Sequence, residues 1–218
     1  MSSGGYPFGE PILFLQPIPK DCFDIRCAIT NSHGQPLALI QPLVPLPQAG
    51  QEKSELIFEV VRPNGAQLLQ LTRSVRRMGY SAHRLQVHGA DGRDLGCLRQ
   101  TSSYWQFFRT PRMSFDLEYQ DQRLGGTRIR SYIPLFTKVD LDAPIHGTTG
   151  SELGQVTSRQ RPRSLLGKAL GPKATFDYRL ACAYPTSPPI PTLLLATTFA
   201  HHLYDTLDSL APFSQNSQ

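Results

Sequence analysis

The sequence predicts a mainly β protein, a run of antiparallel hairpins that ends in one apolar helix. Three observations carry this. Apolar and polar residues alternate in many short segments, which is the period of a half-buried strand. Glycine-containing turn signals separate those segments at intervals of about thirty residues. One stretch near the C-terminus, TLLLATTFAHHLYDTLDS, is apolar on nearly every side at helical spacing.

Residues 1–20 read as an extended, proline-rich N-terminal arm. Pro7, Pro11, Pro17 and Pro19 forbid a regular helix there, and Ile12, Phe14 and Leu15 offer it apolar side chains for packing. The first hairpin follows at 23–43. Phe23, Ile25, Cys27 and Ile29 alternate with Asp24, Arg26 and Ala28, and the turn ends at Gly34. The same plan returns at 56–73 around Asn64-Gly65, a dipeptide suited to a turn whose central residues need positive φ. It returns at 83–99 around Asp91-Gly92, at 115–130 around Gly125-Gly126, and more loosely at 139–159 with Gly150. The turn glycines 34, 65, 92, 125 and 150 stand 31, 27, 33 and 25 residues apart. Returning strands often carry Leu-Gly, as at Leu95-Gly96, Leu124-Gly125 and Leu153-Gly154.

Phe176, Tyr178, Leu180, Cys182 and Tyr184 share one face of a last strand, and PTSPPIP then makes an elbow. Pro191 and Thr192 suit a helix start, which predicts a helix over 192–208. That helix is near the lower length limit for a membrane span, and it carries His201, His202 and Asp205, each costly at membrane depth. Burial inside the protein is the expectation. Hairpins with one apolar face must bury it against each other. A closed barrel does so and removes free edges, and a two-layer sandwich of the same hairpins fits the alternation equally well.

The chain has 218 residues, a net charge of +5 and 19 prolines. Its four cysteines, Cys22, Cys27, Cys97 and Cys182, form no CxxC pair and match no zinc spacing. Cys22 and Cys27 are near enough in sequence to cross-link, and nothing else supports that bond. The opening Met1–Glu10 lacks a basic start and an apolar core, so no secretory leader is predicted. The expected setting is intracellular, with reduced thiols.

No catalytic constellation is present, and neither a cofactor nor a metal is expected. Adjacent helical residues point about 100° apart, so His201 and His202 do not share a helix face. His83 and His88 fall on opposite faces of a strand. There is no G-x-S-x-G and no P-loop.

Basic residues are the stronger lead. Arg159, Arg161, Arg163, Lys168 and Lys173 lie in 153–176, a stretch without an acidic residue. Arg73, Arg76 and Arg77 form a second group, read as the loop after the second hairpin. Arg109, Arg112, Arg128 and Arg130 form a third. Guanidinium forks suit phosphate, so an anionic phospholipid surface is the partner these clusters suggest; a solvated loop is the plain alternative. SSYWQFFRTP, 102–111, places the one tryptophan beside Arg109, as a strand packing inward or as an interfacial loop. Single-stranded nucleic acid also uses aromatics with arginines, but no RNA-binding motif accompanies them and no nucleic acid is expected.

The order of these elements resembles a known family. Repeated strand, G-x-x-LG and basic-strand hairpins lead to a strand with F-D-Y, then a proline, then an apolar C-terminal helix. This resembles the tubby C-terminal-like superfamily, which includes phospholipid scramblases and plant LURP-one-related proteins. ELGQVTSRQRPRSLLGKALGPKATFDYRLACAYP and the helix after it are most similar to the scramblase branch, and the overlay covers residues 10–210. The resemblance implies a closed antiparallel barrel of about twelve strands over 21–210, threaded by the helix at 192–208, with a disordered tail over 211–218. It implies a non-enzymatic protein, cytoplasmic or peripheral to a membrane, that binds anionic headgroups through Arg73, Arg76, Arg77, Arg109, Arg159, Arg161, Arg163, Lys168 and Lys173. The alternative it implies is a LURP-one-like scaffold acting through a protein partner. The family's acidic, calcium-associated stretch before the final strand is replaced here by LGPKATF, 170–176, without an acid. Calcium needs several oxygen ligands, so headgroup binding is expected ahead of calcium-triggered lipid scrambling.

Overall fold

The computed structural model describes residues 5–18, 25–44, 55–77, 81–102, 112–130, 141–160 and 176–208. Twelve strands follow in order: β1 (Ile12–Pro17), β2 (Cys27–Asn31), β3 (Pro36–Pro42), β4 (Glu55–Val61), β5 (Gln67–Arg77), β6 (Ser81–Gly89), β7 (Asp94–Gln100), β8 (Arg112–Tyr119), β9 (Gln122–Arg130), β10 (Asp142–Gly147), β11 (Glu152–Gln160) and β12 (Phe176–Cys182). The helix α1 spans Ile190–Asp208. Each strand pairs antiparallel with its sequence neighbours, and β1 pairs with β12 to close a barrel. The barrel, rather than the sandwich, is the solution the hairpins adopt.

β1 corrects the reading of 1–20 as an arm separate from the barrel. Leu13 and Leu15 face the interior with no exposed surface, and the strand is hydrogen-bonded on both sides, to β12 and β2. Its partner in closure lies at the far end of the chain, a non-local pairing that a local pattern does not display.

The hairpin repeat has a sharper basis than turn glycines. Gly34, Gly65, Gly92 and Gly150 have φ between 75° and 83°, as tight turns require. The fourth hairpin differs. Its turn is Gln120-Asp121, with φ 49° and 59°, while Gly125 and Gly126 lie within β9. What all five hairpins share is a bulge. The ladder slips by one residue at Leu37, Leu68, Leu95, Leu124 and Leu153, each on the returning strand just past the turn. All five leucines pack on the core.

After three of the leucines comes glycine, because the neighbouring strand approaches closely there. A Cβ on Gly96 would collide with the Glu118 carbonyl and one on Gly125 with the His146 carbonyl. One on Gly154 would sit 2.8 Å from the Ala181 carbonyl.

Twelve consecutive helix residues, Leu193 to Tyr204, are buried on every side. Thr197 and Thr198 are accommodated by donating to the carbonyls of Leu193 and Leu194, at 2.7 and 3.0 Å. β12 delivers the chain to the hairpin end, and α1 runs back through the barrel from there. Leu193 lies against Gly96 beside the third hairpin. Phe199 meets Phe58 at mid-height, with ring centroids 5.1 Å apart. Tyr204 reaches His83 and Phe115 near the opposite end, at 5.1 and 5.4 Å.

Candidate functional site

The topology sorts the charges. Five tight turns, residues 5–11 and 183–189 gather at the hairpin end and hold two basic and three acidic residues. The connections β1–β2, β3–β4, β5–β6, β7–β8, β9–β10 and β11–β12 begin and end at the other rim, the loop end. They hold nine basic and four acidic residues, a surplus equal to the whole net charge of +5. Lys168 and Lys173, with Arg161 and Arg163, supply most of it from the β11–β12 connection.

Arg109, Arg161, Arg163, Lys168 and Lys173 fall outside the described residues, as does most of the tryptophan segment. Their connections nevertheless share one rim. Arg159 is exposed on the outer face of β11, opposite Asp177 in the ladder. Arg76 and Arg77 are the last two residues of β5, so the strand continues through the segment read as a loop. Arg73 is a correction of a different kind. It is only 6% exposed and faces the barrel interior, so it cannot belong to an outer headgroup-binding face. Leu69, Leu71, Arg73 and Val75 alternate in the sequence, and that parity is the signal that places it inward.

Three apolar side chains stand at the same rim. Ile18, Leu43 and Val44 are 41%, 53% and 51% exposed. They are held in place by backbone: Ile18 donates to the Arg26 carbonyl at 2.8 Å, and Leu43 to the Ile57 carbonyl at 2.9 Å.

Part of the outer wall is charged. Across β7, β8 and β9, Arg99 donates to Glu118 at 2.8 Å and Arg123 pairs with Asp116 at 3.0 Å. On these three strands the outward Arg99, Asp116, Glu118 and Arg123 are charged and the inward Leu98, Phe115 and Leu117 are apolar, the reverse of an outer face that meets acyl chains, while β1, β3 and β4 turn Ile12, Phe14, Leu39 and Ile57 outward. No helix among the described residues is long and apolar enough to cross a membrane. The wall has one seam. β9 and β10 share only the pairs Ile145–Thr127, His146–Gly126 and Gly147–Gly125. Beside it lies a groove of about 740 Å³ lined by Asp116, Arg123, Arg128, Asp142 and His146 among others.

His83, His201 and His202 are packed inside the barrel. Burial holds His201 down to about 3, and holds His83 down to about 4 with help from the Arg73 charge. His202 places Nε2 3.2 Å from the Ile25 carbonyl. Cys27, Cys97 and Cys182 are free thiols, so Cys27 is not cross-linked to Cys22. Burial pushes the Cys182 thiol up to about 11 and the Cys27 thiol further still, which keeps both unreactive.

Comparison with protein-family models, with curated proteins and with solved structures returns no match to this chain.

Proposed function

We propose that the protein is a tubby-like, scramblase-like barrel that docks end-on against an anionic phospholipid surface, at the cytoplasmic side of a membrane. The observation that carries this is the gathering of the entire positive surplus at the loop end, beside Ile18, Leu43 and Val44. Basic groups near an anionic bilayer contribute about 1 kcal/mol each, and exposed aliphatic side chains add affinity by entering the headgroup boundary. The enclosed helix is engaged as core, which favours surface binding over movement of lipid through the bilayer.

Co-sedimentation with phosphatidylcholine vesicles, with and without 30% phosphatidylserine or a few per cent phosphoinositide, tests the reading. Anionic vesicles are expected to bind the protein, neutral ones are not, and added salt weakens the binding. No gain with either anionic lipid at low salt overturns it.

The groove at the β9–β10 seam favours a second reading, a LURP-one-like scaffold. Its mixed charges, Arg123 and Arg128 beside Asp116 and Asp142, suit a polar protein partner better than a uniformly anionic surface. A discrete partner bound equally well with and without lipid, and lost on Arg128→Glu, would select it.

A further inference from the structure

Among the residues whose side chains are described, no carboxylate is buried and Arg73 is the one buried lysine or arginine. It stands on β5 opposite Leu56 and Leu85, both interior. Its Nη2 lies 3.4 Å from Nδ1 of His83, while its Nε is buried without a hydrogen-bond partner. His83 in turn is fixed by the Tyr204 ring and by a 3.1 Å bond from its backbone N–H to the Gln100 side chain. The imidazole is neutral at ordinary pH, so it can accept from the guanidinium but cannot cancel its charge.

A buried cation without a counter-charge destabilises a fold by several kcal/mol, and an unsatisfied buried N–H adds to that. The last turns of α1 point their carbonyl ends toward this rim, which is partial compensation only. Buried charges persist where something opposite in sign meets them. We propose that the interior of the loop end holds one oxyanion, a phosphate or carboxylate group, against the free edge of the Arg73 guanidinium. The site lies inside the wall and does not depend on docking to a membrane. Its ligand is either a free anion or the head of a lipid reaching in through the rim.

Thermal unfolding at fixed ionic strength tests this, with inorganic phosphate exchanged for chloride. Phosphate at a hundredfold over its dissociation constant is expected to raise the midpoint of the natural protein by roughly 5 °C. Arg73→Met, which removes the charge and keeps the bulk, is expected to lose that response, and the surface variant Arg159→Gln to keep it. Dihexanoyl phosphatidylserine, as monomers, separates the sources. A larger shift than phosphate gives assigns the site to a lipid head, and no shift beside a phosphate response assigns it to a free anion. Should Arg73→Met fail to fold, calorimetric titration with phosphate replaces it. One site per chain, weakened at least tenfold by Arg73→Lys, supports the proposal. No response to phosphate or to the lipid monomer in the natural protein, an equal response in Arg73→Met, or unchanged binding by Arg73→Lys overturns it.

Discussion

The two ends of this barrel are built on opposite plans. At the hairpin end the connections are two to five residues long, and five bulge leucines pack inward. Among the described residues the one large apolar side chain exposed there, Tyr184, is tied by its hydroxyl to Ser151 at 3.4 Å. At the loop end the connections reach fifteen residues, carry the net charge and leave Ile18, Leu43 and Val44 open to solvent. The hairpin end therefore answers to packing, and the proposed docking assigns the loop end to a partner. Function on a rigid scaffold commonly resides in such loops.

The largest effect expected from breaking that contrast is at the hairpin end. Gly96 has φ 106°, and a Cβ there meets the Glu118 carbonyl. Gly96→Ala combines left-handed strain with a backbone collision and should cost about 4 kcal/mol in urea unfolding, with no change in vesicle binding per folded molecule. Leu124→Ala removes one bulge leucine from the core and should cost about 2 kcal/mol by the same assay.

Acid comes next. His83 and His201 have folded pKa values held below their unfolded values, at about 4 and about 3. The unfolded chain therefore takes up protons that the folded chain refuses. Their contribution is complete above about pH 6.5 and is lost as pH falls, at up to about 1.4 kcal/mol per pH unit for each. His201→Gln should flatten the stability profile between pH 6 and 4. An unchanged slope would show that His201 is not the group responsible.

The smallest stability effect belongs to the loop end. Arg161→Gln with Arg163→Gln should change unfolding free energy by less than about 0.5 kcal/mol. The same double change should weaken binding to phosphatidylserine vesicles about thirtyfold, from roughly 1 kcal/mol per charge.

Much of this contrast is legible in the residues, and the exceptions are physical. Alternation and the Asn64-Gly65 and Asp91-Gly92 dipeptides mark strands and turns because both depend on near neighbours. The fourth turn is misleading because Gln120 and Asp121 take positive φ while a glycine pair stands close by for another reason, the approach of the next strand to Gly125. Leu-Gly exposes the bulge in three hairpins. The first two hide it, since Ala38 and Leu69, not glycine, follow the bulge leucine. β1 and the sorting of charge between the ends are properties of closure, which no short window contains. Arg73 is legible in principle, because its parity on β5 is inward, but a basic residue among basic neighbours reads more readily as surface.

The most direct measurement places one environment-sensitive fluorophore at each end. Leu43→Cys labels the loop end and Thr149→Cys the hairpin end, each in a chain with Cys22→Ser and Cys182→Ser so that only the buried thiols remain. On adding phosphatidylserine vesicles, the dye at 43 should shift to the blue and become shielded from an aqueous quencher, while the dye at 149 stays unchanged. A shift at 149, or at neither position while the protein is bound, would contradict docking by the charged rim.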